Sequence, residues 1–240
     1  QVTGPLGDPV EARWRISGDL AVIEMAEASG LLLAGGPQEN DPLSASTIGT
    51  GEVIVEARIS GARRIIVGVG GSASTDGGLG AIRAMEPIVR FAGVDLIVAC
   101  DVETQFLDAP SIFGPQKGAT GAQIELLERR LSLLAEMYLD EYGIDVTDMP
   151  RSGAAGGLAG GLAAIGARLV DGFGFISEEV ELEAHLSTAD LVITGEGHLD
   201  SESFNGKVVG GVADIARRHN VPVVAVVGAR DPEIGIPEGM

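Results

Sequence analysis

Lysine is nearly absent from this 240-residue chain: of its 16 basic residues only Lys117 and Lys207 are lysine, and the rest are arginine. Positive charge as a whole is scarce. The 35 acidic residues leave a formal net charge of −19, and so acidic a surface repels phosphate backbones, which excludes nucleic acid as an expected partner. Cys100 is the single cysteine, so no intrachain disulfide can form, and a reducing, cytoplasmic compartment is expected. No apolar run approaches the ~18 residues of a membrane-spanning helix, so no membrane partner is expected. The opening residues Gln1-Val2-Thr3-Gly4-Pro5 carry neither a basic nor an apolar signal region. No initiator methionine precedes them, as expected of a processed, truncated or partial chain. Also missing are a Gly-x-x-x-x-Gly-Lys-Ser/Thr phosphate loop, a Gly-x-Ser-x-Gly elbow and a fixed-period repeat. His185, His198 and His219 lack the spacing of a zinc site.

Glycine, by contrast, is abundant: 36 residues, about twice the ordinary share, gathered in clusters. Hydrophobic residues make up 45% of the chain, ample for a buried core. Strand and helix patterns alternate, which predicts an α/β fold. Residues 20–25 read as a strand or a strand-to-helix junction, and 46–59 as a helix with Val53, Ile54 and Ala57 on one face. Short strands are expected over 64–69 and 94–100, the former apolar after its first residue, as in a parallel sheet covered on both faces. The plainest helix covers 120–142. Thr120 and Gln123 form a capping box, Ile124, Leu127, Leu131, Leu134 and Tyr138 recur at helical spacing, and Gly143 ends it. This helix reads as packing, not chemistry. Residues 152–169, rich in Gly and Ala, read as a helix closely approached by another backbone or as a loop running into a helix. Strands over 191–194 and 221–227 flank a helix over 208–219, a right-handed βαβ unit.

Two glycine clusters carry the candidate chemistry. The first, Gly68-Val69-Gly70-Gly71-Ser72-Ala73-Ser74-Thr75-Asp76-Gly77-Gly78, follows a strand directly. Ligands of open α/β sheets bind at such strand ends, where glycine lets backbone N–H groups reach anionic oxygens. Ser72, Ser74 and Thr75 add hydroxyls. Asp76 offers a carboxylate for Mg²⁺ or a proton, or else caps a helix within a purely structural turn. Gly68, Gly70 and Ala73, with Glu86 downstream, also fit a dinucleotide fingerprint, but Thr75-Asp76-Gly77-Gly78 interrupts the helix that should follow. The second cluster, Thr194-Gly195-Glu196-Gly197-His198-Leu199-Asp200, again follows a strand and leads through Asn205-Gly206-Lys207 into a helix. It supplies carboxylates, open backbone and a lysine at a helix N-terminus, where anions are favoured. Asp101 closes the strand over 94–100 and points to the same rim as the first cluster. Cys100 reads as a buried small hydrophobe. Lys117 and Lys207 both adjoin glycine, which suits a compact ammonium against phosphate. Glycine-rich backbone, carboxylates and two lysines together suit phosphoryl transfer.

Five segments, in order along the chain, resemble the bacterial glycerate kinase type I family. They are Gly70-Gly71-Ser72-Ala73-Ser74-Thr75-Asp76-Gly77-Gly78, Ala99-Cys100-Asp101-Val102, Phe113-Gly114-Pro115-Gln116-Lys117-Gly118-Ala119, Gly153-Ala154-Ala155-Gly156-Gly157-Leu158, and Ile193-Thr194-Gly195-Glu196-Gly197-His198-Leu199-Asp200 with Asn205-Gly206-Lys207. The resemblance implies ATP-dependent phosphorylation of glycerate, with (R)-glycerate at its 2-hydroxyl and 2-phosphoglycerate as the expected pair. It implies two α/β domains with the active site in the cleft between them. One is Rossmann-like and incomplete here, represented by 188–240. The other, 1–187, is an inserted glycine-rich mixed α/β domain. Family members open on a strand bearing Asp-Ser-Phe-Lys-Gly, continue past the strand over 221–227, and are longer between Met85 and Glu86 and over 103–111. This chain is therefore expected to represent part of the family's length.

From their chemistry, Gly70, Gly71, Ser72, Ser74, Gln116, Lys117, Gly195 and Gly197 are the expected substrate- and phosphate-binding residues. Asp76, Asp101, Glu196, Asp200 and Lys207 are the expected catalytic set. Asp76, Asp101 and Glu196 are the candidate Mg²⁺ ligands, and one carboxylate of the set takes the hydroxyl proton. The glycerate carboxylate calls for a cation, Lys117 or an arginine such as Arg151. Three rivals remain open: a noncatalytic small-acid or nucleotide-binding protein, a nicotinamide-dependent oxidoreductase, and a structural or regulatory remnant of a kinase. The residues leave the oligomeric state unassigned.

Overall fold

The computed structural model describes residues 1–204 and 208–235. It divides into two compact units, Gln1–Val170 and Asp171–Met240. In the first, β1 (Val2–Thr3) and β2 (Pro9–Val10) form a small antiparallel pair. The main sheet has five strands in the order β3 (Trp14–Ser17), β4 (Leu20–Glu24), β5 (Arg64–Gly68), β6 (Asp95–Cys100) and β7 (Arg168–Asp171). β3 is antiparallel to β4, whereas β4, β5 and β6 are parallel. Their register sets Glu24 beside Gly68 and Gly68 beside Ala99, so three strands end level on one rim.

Helices α1 (Ala26–Ser29), α2 (Ile48–Ile59), α3 (Leu79–Met85), α4 (Ala109–Phe113), α5 (Gly121–Tyr142) and α6 (Leu158–Ala164) complete this unit. Ile65, Ile66 and Val67 are all buried, so β5 is covered on both faces as its unbroken apolar run predicts. The main core joins Ile23, Ile65, Val67 and Val98 of the sheet to Val53, Ile54 and Ala57 of α2 and to Leu158 and Leu162 of α6. A second cluster holds Leu131, Leu134 and Tyr138 of α5 against Phe106 and Ile82. The expected capping box at Thr120 and Gln123 is present, and Gly143 ends α5 in the left-handed conformation.

The second unit contains α7 (Gly172–Glu179), α8 (Leu182–Leu186), β8 (Val192–Leu199), α9 (Val208–Arg218) and β9 (Val223–Arg230). β8 and β9 are parallel neighbours and α9 joins them, the expected βαβ unit. The boundary between the units falls at 170/171 and not at 187/188. Leu186 of α8 is part of a core with Val192, Val212, Ile215 and Val223, and Phe173 of α7 packs against it, which ties both helices to the second unit. β8 is also longer than the strand expected over 191–194. Its pairing with β9 continues through Gly195↔Val226 and Glu196↔Val227 to Leu199↔Arg230.

Candidate active site

The first glycine cluster lies where sequence places it, at the carboxyl end of β5, and forms an extended loop before α3 opens at Leu79. No helix starts directly after the strand, so the dinucleotide fingerprint lacks its structural context, and Glu86 serves as the C-terminal cap of α3. The loop is tied down on every side. Gly71 O accepts from Leu31 N–H at 2.8 Å, Ala73 N–H donates to Ser29 O at 3.0 Å, and Gly77 N–H donates to Gly156 O at 3.1 Å. From α5, the buried Tyr138 hydroxyl donates to Gly77 O at 2.9 Å. The helix read as packing therefore also anchors the loop.

Asp76 joins two helix starts. Its Oδ2 accepts from Thr47 N–H at 2.8 Å and Thr47 Oγ1 at 2.9 Å, just before α2, and from Gly80 N–H at 3.2 Å within α3. Its Oδ1 accepts from Gly78 N–H at 3.1 Å. The carboxylate thus meets donors that helix termini leave without intrahelical partners. The N-cap position of α3 is Gly78 and that of α2 is Thr47, so Asp76 serves both helix starts from outside them. Thr47 was missed in the sequence because nothing local to it announces a partner 29 residues away.

Lys117, read from its glycine neighbours as a phosphate-binding ammonium, is turned into the protein. It is 2% exposed, and its Nζ donates to Ser74 O at 2.6 Å. Burial pushes its pKa down to about 7, partly opposed by the negative charge of Asp76. Asn40, also absent from the sequence reading, donates through Nδ2 to Ala73 O at 3.1 Å and Lys117 O at 2.9 Å. Ser74 and Thr75 are buried, and their hydroxyl oxygens have no hydrogen-bond partner; nor does Asn40 Oδ1. A Cβ on Gly156 would strike Ser74 O and come within 2.9 Å of Lys117 Nζ, so only glycine admits this approach, and its φ of 66° suits glycine too.

Gly70 and Gly71 are the exposed part of the loop, Ser72 is buried beside them, and Gln116 is exposed on the turn before Lys117. Asp101 is exposed just past β6. Cys100 is buried, and burial pushes its thiol up to about 12, so it is the small hydrophobe expected. Arg151 pairs with Glu103 and lies in the left-handed region at φ 71°, as does Ala155 at 54°. Non-glycine residues held there are strained, and such strain clusters at functional sites.

In the second unit, Gly195, Glu196 and Gly197 are strand residues of β8, not the loop after a shorter strand. Gly195 and Gly197 are exposed, and Glu196 is half-buried with a buried, unpartnered Oε1. Asp200 exchanges hydrogen bonds with Ser203: its N–H donates to Ser203 Oγ and its Oδ1 accepts from Ser203 N–H, each at 3.0 Å. His198 Nε2 lies 2.8 Å from Asp231 Oδ1. Lys207, with Asn205 and Gly206, lies outside the described residues. Among the described residues no three His, Cys, Asp or Glu side chains group so as to hold a metal ion, and no helix is long and apolar enough to cross a membrane.

The chain matches the model of the glycerate kinase family over residues 1–90 and 88–237. The two pieces meet near the point, between Met85 and Glu86, where the resemblance predicts a longer segment. The chain is 40% identical to the glycerate 2-kinase of Escherichia coli strain K12 over 269 aligned positions, covering 98% of this chain and 70% of that protein. It is also 40% identical to a glycerate kinase of Halalkalibacterium halodurans, covering 95% of this chain and 69% of the relative. The crystal structure of a Salmonella typhimurium LT2 protein, itself proposed as a glycerate kinase 2, superposes with a TM-score of 0.81 at 40% identity, over 95% of this chain and 70% of that one. By family model, sequence and α/β structure alike, this chain belongs to the glycerate kinase family.

Proposed function

We propose that the chain is a kinase that transfers a phosphoryl group from ATP to (R)-glycerate at its 2-hydroxyl, giving 2-phosphoglycerate. The observation that carries this reading is the ordered match to the glycerate kinase family along nearly the whole chain. The first unit is read as the inserted domain and the second as part of a Rossmann-like domain. Gly70 and Gly71 present open backbone at the end of β5 and are assigned to the phosphates, with Ser72 beside them and Gln116 as a further polar contact. Gly195 and Gly197 are assigned the same role on β8. Lys207 is retained as the phosphate-binding ammonium on its sequence context alone.

The carboxylates divide by their surroundings. Asp76 is engaged by the starts of two helices and is assigned to holding the loop. Asp101, Glu196 and Asp200 remain the candidates for the base. Mg²⁺ in kinases is commonly held by one or two carboxylates plus the nucleotide phosphates, not by an all-protein cage. Asp101, exposed in the first unit, and Glu196, with an unpartnered Oε1 in the second, are each retained as a candidate single carboxylate donor. Such an ion supplies neutralisation of charge on the transferring phosphoryl group. Arg151, strained and facing Glu103, is assigned to the glycerate carboxylate, since Lys117 is buried against backbone. ATP use and a single free thiol suit a cytoplasmic setting.

The test is ADP release from ATP and Mg²⁺ with and without (R)-glycerate, followed by NMR of the product. Glycerate-dependent ADP and a 2-phosphate are expected. A 3-phosphate would overturn the regiochemistry alone, and the absence of glycerate-dependent ADP would overturn the activity for this chain.

A further inference from the structure

We propose that Lys117 is a positioning residue which, together with Asn40, sets the peptide planes of the glycine loop from beneath. The inference rests on the reading of that loop as the phosphate- and substrate-binding element. The geometry is specific. Asn40 Nδ2 holds Ala73 O and Lys117 Nζ holds Ser74 O, at 3.1 and 2.6 Å. In a planar trans peptide the C=O and N–H point in opposite directions. Drawing these two carbonyls toward Lys117 and Asn40 therefore turns the N–H groups of Ser74 and Thr75 the other way. Among the described residues neither N–H donates to another group. The Ser74 and Thr75 hydroxyls are likewise buried without a partner. Buried donors left unpaired in succession are rare and costly. They are what a loop prepared for an anion would present, and the clamp is what keeps them from turning inward.

The clamp is braced on its far sides. Lys117 O accepts from Asn40, so the two clamp residues hold each other. Pro37 O lies so close to Gly118 that a side chain there would collide with it, and Gly156 closes over Nζ. Asp76 supplies the negative charge that supports the buried ammonium, while Tyr138, the titratable group that reaches the loop from α5, is spent on Gly77 O. Lys117 thus acts on substrate only through the loop.

The full chain is assayed beside Lys117→Met, Lys117→Ala and Asn40→Ala, and amide exchange over residues 70–76 is followed by mass spectrometry. Lys117→Met is expected to lose about 100-fold in kcat with KM for ATP and glycerate held within about twofold, the signature of misplacement and not of lost contact. Exchange over 70–76 should quicken, and ethylammonium should return part of the lost kcat to Lys117→Ala where ethanol does not. A folded Lys117→Met with kcat within about threefold of wild type and unchanged exchange would overturn the proposal. A raised KM with kcat intact would overturn it differently, by placing the ammonium on the substrate. Should Lys117→Met fail to fold, Asn40→Ala decides: a loss of about tenfold in kcat and faster exchange are expected, and wild-type values in both would overturn the clamp. If the wild-type chain releases no glycerate-dependent ADP, the kinase reading fails, and exchange alone still decides whether Lys117 and Asn40 hold the loop.

Discussion

The molecule carries two glycine-rich strand ends of nearly the same composition, and they are built in opposite ways. The first, after β5, belongs to a five-stranded sheet and is held by Asn40, Thr47, Lys117, Tyr138 and Gly156, which reach it from five separate segments. Of its polar side chains, Asp76 is engaged inside the protein, while the Ser74 and Thr75 hydroxyls are buried without a partner. The second is the end of β8 in a two-stranded sheet, with Ile193 70% and Val226 65% exposed on neighbouring strands. There Gly195 and Gly197 are exposed and Glu196 keeps an unpartnered oxygen. Glycine does two jobs at both ends: Gly156 and Gly195 admit close backbone neighbours, Ser74 O and Val226 O, while Gly70 and Gly197 leave open space where a side chain would stand. Similar motifs are braced to different extents in the two units, according to what packs against them.

Substitutions that separate framework from chemistry test this contrast. The largest stability effect is expected for Asp76→Ala, which strips acceptors from two helix starts at a cost of about 2–4 kcal/mol, read by urea unfolding. Unchanged stability with lost turnover would move Asp76 to the chemistry. Next comes a pH effect from Lys117. Its folded pKa, about 7, lies below the ordinary 10.5, so between those values the unfolded chain binds more protons than the folded one. Its contribution makes stability rise with pH over that window, by at most about 1.4 kcal/mol per unit. Thermal melts from pH 7 to 10 should show a shallower rise in Lys117→Met than in wild type, and equal slopes would refute the burial. Tyr138→Phe removes the bond to Gly77 O and should cost about 1 kcal/mol, lowering Tm by about 2–4 °C. Least of all should be Glu196→Gln, which leaves stability within about 0.5 kcal/mol while turnover falls at least about tenfold. A large loss of stability there would mean that the second strand end is framework as well.

Much of this was legible in the residues. The apolar run of β5, the face of α2, the capping box of α5 and the βαβ unit of β8, α9 and β9 all rest on interactions between residues close in sequence, or on a periodicity that reports burial directly. The exact end of β8 was not legible, because Gly195, Glu196 and Gly197 look like a loop until β9 supplies their ladder partners. Nor was the boundary between the units, which depends on Leu186 and Phe173 finding a core formed later in the chain. At the candidate site the loop and its carboxylates were visible, but Asn40 and Thr47 were not. Each acts across 29 to 77 residues through a single polar side chain with no local motif.

The order of motifs along the chain was by itself sufficient to place it in the glycerate kinase family, and alternating apolar runs were sufficient for an α/β fold. These are properties of short segments and of their sequence order. What only the tertiary structure decided is which polar groups are spent. Lys117 reads as a ligand because its sequence neighbours are glycines, and Asp76 as either a ligand or a helix cap; in the folded chain one is buried against Ser74 O and the other joins α2 to α3. A charged group's role depends on the solvent it has lost and the partners it has met, and both are set by segments that meet only when the chain is folded.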